Sequence, residues 1–368
     1  MQMTIYRLSF LIIVFTCLVS CTKEDEDPLP SPDIIEEVSV DLDAVPYAQL
    51  SDYHFFQGAL KDLENHPRVL PYDLISPLFT DYAKKSRFIW MPEGLSAEYS
   101  SDGQILDFPV GTVIIKTFYY DHVLPEDERK NLETRLLIHK EDGWIFAEYV
   151  WNDDQTEAPL DTQGDFIPVE FIDDNGVTRS IDYRLPSMDG GECLVCHKKD
   201  GLPIPIGPKP QNLNKLYDYT NGAMNQLDKW KEIGYLDDST PIPSAAHTVV
   251  NWKNEALDLE LRVRSYIDIN CGHCHAEGSH CDYRPMRFAF SETGSEENLG
   301  ICVEPDEYLG AGQTHIVSSG NIGRSMLYYR FSSTDEAVRM PLLGRSIVHD
   351  EALEMIVEWI ESLDPPCD

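Results

Sequence analysis

Two pentapeptides constrain this chain more than anything else in it. Cys193-Leu194-Val195-Cys196-His197 and Cys271-Gly272-His273-Cys274-His275 both read C-x-x-C-H, the pattern for covalent attachment of a c-type haem. Each position has a chemical task. The two thiols add across the two vinyl groups of haem, the intervening residues set their reach, and the adjacent His offers a ring nitrogen to the iron. Two C-x-x-C pairs can also hold zinc, but these lie much further apart than the roughly 15–20 residues of a zinc ribbon. A thioredoxin-like redox pair wants a βαβ pattern around it, and neither motif has one. The expectation is therefore two covalently bound haem c groups. Cys193, Cys196, Cys271 and Cys274 attach them, and His197 and His275 ligate iron.

The amino-terminal residues agree with haem attachment outside the cytoplasm. Arg7 precedes an apolar run from Leu8 to Leu18, and Leu18-Val19-Ser20-Cys21 resembles a bacterial lipobox, with cleavage before Cys21 and lipid on its sulfur. The run is shorter than the ~20 apolar residues a membrane span needs. Residues 1–20 are read as a signal peptide and 21–45 as a lipidated, disordered tether, charged and Pro-rich at its start. The expected location is outside the cytoplasm, lipid-anchored at the outer membrane and facing periplasm or cell surface. The 29 Lys and Arg face 64 Asp and Glu, a formal charge of −35. That balance argues against nucleic acid and anionic lipid as partners, so membrane contact enters only through the anchor. Of the nine cysteines, Cys281, Cys302 and Cys367 have no role yet. An oxidising compartment favours a Cys281–Cys302 disulfide, leaving Cys367 odd, although the sequence leaves other pairings open.

The expected fold class is α+β, an antiparallel β domain followed by mainly α-helical haem modules. Residues 46–185 are β-rich. Thr112 to Tyr120 is β-branched and aromatic. Leu132 to Lys140 and Trp144 to Asn152 flank Glu141-Asp142-Gly143, and Phe166 to Ile172 and Val177 to Arg184 flank Asp173-Asp174-Asn175-Gly176, two hairpin signals. Trp90, Trp144 and Trp151 are read as packing residues. Residues 186–250 form the first haem module, with a helix from Asn221 to Leu236 carrying Leu227, Trp230 and Ile233 and closing at Gly234. Residues 251–368 form the second. A helix from Leu257 to Asn270 runs into Cys271, and Asp350 to Leu363 repeats Leu353, Ile356, Val357, Ile360 and Leu363 at helical spacing.

A helix, C-x-x-C-H, a Met-Pro loop at Met340-Pro341 and a final helix, in that order, resemble a class I cytochrome c domain. The resemblance implies Met340 as the second axial ligand, opposite His275. More widely, residues 50–363 resemble bacterial di-haem c-type cytochrome lipoproteins. The resemblance runs through Pro109 to Val113, the first motif, Pro205 to Lys209, Asn270 to His275 and Arg339 to Pro341. It implies electron transfer with a redox partner protein, a quinoprotein dehydrogenase or another cytochrome. For the first haem, Met188, Met224, His247 and Met91 are sixth-ligand candidates, none favoured. Two rivals to an electron carrier follow: a di-haem peroxidase-like enzyme with an open first haem, and a haem-bearing module that binds a partner or carbohydrate.

Overall fold

In the computed structural model, residues 35–310 and 312–368 are described. The expected signal peptide, the lipidated Cys21 and the tether as far as residue 34 lie outside the described residues. Residues 37–368 belong to one compact unit. A short ribbon, β1 (Phe56–Gln57) with β2 (Glu64–Asn65), precedes an eight-stranded antiparallel sheet. Its strands are β3 (Leu70–Tyr72), β4 (Lys84–Trp90), β5 (Val113–Val123), β6 (Glu128–Lys140), β7 (Gly143–Val150), β8 (Leu160–Asp161), β9 (Phe166–Ile172) and β10 (Thr178–Arg184). They pair in the order β3-β4-β5-β6-β7-β8, while the β9–β10 hairpin meets the far end of β5 at Val123–Phe171. The turns are those the sequence predicts. Lys140 pairs with Gly143 across Glu141-Asp142, and the Asp173 carboxylate accepts from the Asn175 and Val177 amides, both at 2.9 Å.

Both faces of the sheet are covered, which explains why β5 is apolar without alternation from Val113 to Ile115 and from Phe118 to Tyr120. One face buries Val113, Ile115, Leu136, Ile138 and Tyr149 under the amino-terminal segment, where Tyr53 meets Tyr149 hydroxyl to hydroxyl at 2.9 Å. The other face buries Ile89, Ile114 and Leu137 against Leu213, Leu227 and Trp230 from beyond the first haem motif. Trp90 and Trp151 are buried, and Trp144 is half-buried, stacked on His139.

The haem-motif half departs from expectation. It is not mainly α-helical: the molecule is built on one large antiparallel sheet, and helix makes up 19% of it. Among the described residues six α-helices occur: α1 (Cys193–Cys196), α2 (Pro210–Leu213), α3 (Gln226–Glu232), α4 (Leu259–Ile267), α5 (Met326–Ser332) and α6 (Asp350–Ser362). Between them lie loops and two hairpins, β11 (Lys198–Lys199) with β12 (Leu202–Pro203), and β13 (Leu216–Tyr219) with β14 (Gly222–Asn225). The helix expected from Asn221 begins only at Gln226. Thr220-Asn221 makes the β13–β14 turn, with Gly222 opposite Tyr219 at φ +111°, and the Asn225 side chain then caps α3 by accepting from the Leu227 amide. A local hairpin overrides the helical spacing there. Gly234 does follow the helix end at φ +80°. In α6 the buried stripe is Ala352, Met355, Ile356, Trp359 and Ile360, so Trp359 points inward and Val357 is half-buried. It packs with α4 and α5 in a third cluster around Trp252 and Tyr266.

The disulfide is also different. Cys302 bonds Cys367, while Cys281 is a buried free thiol. The Cys281 amide donates to the Cys274 carbonyl at 3.0 Å, which holds Cys281 beside the second motif. The tail after α6 returns past Val317, whose carbonyl accepts the Cys302 amide at 2.9 Å, and so delivers Cys367 to Cys302.

Candidate functional site

The first motif is the single turn α1, with the His197 amide donating to the Cys193 carbonyl at 2.9 Å. The turn is held from below by Glu192, which accepts from the Ser187 amide at 3.0 Å and pairs with Arg184. The His197 ring has Nδ1 3.0 Å from the Ile204 carbonyl. A carbonyl only accepts, so the proton sits on Nδ1 and Nε2 keeps a free lone pair. Burial pushes the imidazole down to about 3, so the ring is neutral. A neutral His whose Nδ1–H is anchored on a backbone carbonyl is the second-sphere arrangement of metal-ligating histidines.

The second motif grows out of α4, whose amino end is capped by Asp258 accepting from the Leu261 amide. After Ile267 the helix widens into a π-helical turn, Asp268–Gly272, a distortion common at functional sites. The turn is anchored by Asp268, which is fully buried and meets Lys209 at 2.9 Å, Gln211 at 3.3 Å and the Phe290 amide at 2.9 Å. Gly272 lets the turn pass close to the Phe288 backbone: a Cβ there would stand 3.2 Å from the Phe288 carbonyl oxygen, tighter than ordinary contact. As in the first motif, the His275 amide donates to the carbonyl of the leading cysteine, Cys271, at 3.0 Å. Burial pushes the His275 imidazole down to about 4, and its Nδ1 is buried without a hydrogen-bond partner.

Each motif opens on its own cavity. The first encloses ≈ 1490 Å³ of empty space, mouth included, between Cys193, Cys196 and His197, the β5–β7 face of the sheet, and the loop from Arg339 to Ser346. The second, ≈ 1310 Å³ on the same measure, is lined by Cys271, Cys274 and His275 together with Met286, Phe288 and Met340. The four motif thiols are unpaired. Two thiols and a neutral His at the edge of a cavity, twice over, are the donor set that covalent haem requires.

Met340 is brought to the cavity of His275 by its backbone. Its amide donates to the Arg330 carbonyl at 3.0 Å, and its carbonyl accepts from the Arg345 guanidinium at 2.8 and 3.0 Å. Of the sixth-ligand candidates for the first haem, only Met188 lines the first cavity. Met91 is fully buried in the core under α3, Met224 is on the exposed edge of β14, and His247 is exposed and 2.8 Å from Asp102.

The two cavities meet. Cys196, Asn270, His273, Pro341 and Leu343 line both. One ligating atom each from Cys196, His273 and Cys274 lie within 4.8 Å of one another. The loops behind them are joined, the Asp200 amide donating to the Gly278 carbonyl at 2.8 Å. Sequence reasoning missed Asn270 and His273 as shared walls, because a motif does not say which way its variable positions face. It also missed Lys116, Arg135 and Glu148, which line the first cavity. Their signal was a charged residue at an inward position of a strand, as in Ile114-x-Lys116-x-Phe118.

No family model, curated protein or solved structure matches the chain. Among the described residues no helix is long and apolar enough to cross a membrane.

Proposed function

We propose that this chain is an exported, lipid-anchored di-haem c-type cytochrome that passes electrons between redox partner proteins. The observation that carries the reading is the meeting of two C-x-x-C-H cavities at Cys196 and Cys274, within 4.8 Å. When bound, haem supplies reversible one-electron exchange at its iron. The chain's own residues do the rest. Cys193 and Cys196 hold one group, Cys271 and Cys274 the other. His197 is locked in the tautomer that leaves Nε2 for iron, and Met340 stands in the wall of the cavity His275 lines. A thioether ligand raises a haem's potential, which suits the second site to the more oxidising end of the pair. The partner class is a quinoprotein dehydrogenase or another cytochrome, with the lipid on Cys21 as the tether.

The test is a potentiometric titration of the full chain, made with haem-attachment machinery and followed by its visible spectrum. Two reversible one-electron low-spin centres are expected. A high-spin centre that binds cyanide would point instead to peroxidase-like chemistry at the first haem. A second reading has its own observation: Cys196, His273 and Cys274 are close enough to share one metal ion, and a zinc site there would claim a thiol from each haem. Protein isolated with zinc and without haem would replace the electron-carrier reading by that one.

A further inference from the structure

One row of the large sheet is charged where its neighbour is apolar. Ile89, Ile114, Leu137 and Phe146 are register partners across β4 to β7. Two residues along each strand, on the same face, the partners are Arg87, Lys116, Arg135 and Glu148, followed by Asp161 on β8. Like charges directly opposite one another destabilise a sheet, and here three cations stand side by side on a largely covered face. Two of them have carboxylates. Arg87 reaches Asp73 at 2.9 Å, and Arg135 grips Glu133 through two bonds of 2.7 and 2.6 Å.

Lys116 has none. Its ammonium lies 5.1 Å from the Phe118 ring, and among the described residues no carboxylate or hydrogen-bond acceptor reaches it. Glu148 does not serve, because burial and the neighbouring Glu133 charge keep its carboxyl protonated. Burial, Arg135 and Arg87 push the Lys116 ammonium down to about 7, a cost that an added anion would relieve. The missing anion has to come from whatever fills the cavity. Lys116 and Arg135 line the same cavity as Cys193, Cys196 and His197, and iron apart, the charged groups of haem are its two propionate carboxylates.

We propose that Lys116, supported by Arg135, binds a propionate of the haem attached at Cys193 and Cys196. The proposal rests on the di-haem reading above. A fixed positive charge beside a haem opposes its oxidised, more positive state, so Lys116 also holds that haem's potential up.

The experiment compares the full-length haem-loaded protein with Lys116→Met and Lys116→Arg, after haem content is established by mass. Resonance Raman reads the propionate bending bands, and potentiometry reads each haem. In Lys116→Met, one haem's propionate band should shift and its midpoint fall, with the other haem unmoved. Lys116→Arg should keep the potential while moving the band, since a guanidinium replaces an ammonium. Two haems with unchanged bands and potentials in Lys116→Met overturn the proposal. So does a chloride-dependent wild-type potential that Lys116→Met abolishes without moving a propionate band, which would assign Lys116 to an inorganic anion. If Lys116→Met does not mature, Lys116→Arg carries the test, and a propionate band identical to wild type overturns it. Absence of covalent haem from the wild type defeats the di-haem reading itself.

Discussion

Glu148 and Glu133 sit on neighbouring strands with different fates. Burial works to raise both. At Glu133 the Arg135 guanidinium, with hydrogen bonds from Glu148, Arg135 and the Tyr183 hydroxyl, outweighs it and holds the carboxyl below its usual range. At Glu148 burial and the Glu133 charge add, and the carboxyl is pushed far up. A protonated Glu148 then donates to Glu133. As pH rises above about 4.5, the unfolded chain releases the Glu148 proton while the folded protein keeps it, so this group's contribution to stability is full in acid and declines through neutral pH. Glu148→Gln keeps a donor and removes that loss. The variant should be more stable than wild type by roughly 1–3 kcal/mol at pH 8, with the gap closing towards pH 4; urea unfolding at a series of pH values measures it. Met340→Ala should lower the potential of one haem and open its iron to cyanide, leaving both thioether attachments intact. An unchanged spectrum would remove Met340 from the coordination sphere.

Among the elements, the strands were the most legible. Alternation, β-branched residues and turn chemistry are local, and the pair Phe166–Ile172 and Thr178–Arg184 closes on the Asp173 turn the sequence announces. The segments around the two C-x-x-C-H motifs were not legible as elements. Much of what they surround is cavity rather than packed side chain, so periodicity carries little information, and α1 and α2 are single turns. At Asn221 a helical spacing was followed where a hairpin turn decides. The disulfide was misassigned because proximity in sequence favours Cys281, whereas the chain returns from α6 to put Cys367 at Cys302 across a separation of 65 residues. Closing so long a loop is worth about 4 kcal/mol in the chain-entropy picture. Cys302→Ser/Cys367→Ser should therefore lower the unfolding free energy by ~2–4 kcal/mol, with both haem attachments retained. Thermal unfolding with and without reductant checks it, and reductant should have no further effect on the double variant.

For the molecule as a whole, the sheet is the scaffold. The amino-terminal segment covers one face and the haem-motif segments the other, with Leu213, Leu227 and Trp230 buried on the same cluster as Leu70, Ile89 and Phe108. The residues proposed for attachment could be picked out in the sequence because both thiols and the His of each motif lie within five residues. The walls could not, because they are assembled from strands, loops and a carboxyl-terminal segment far apart in the chain. A net charge of −35 implies that electron exchange with a basic redox protein slows as salt is added, which stopped-flow mixing at several ionic strengths measures. The most direct test is the intact mass of denatured protein after maturation. Wild type should carry two haems that denaturant does not release, and Cys193→Ala/Cys196→Ala and Cys271→Ala/Cys274→Ala should each carry one. Release of free haem from the wild type, or a chain mass with no haem added, would contradict covalent attachment at these two motifs.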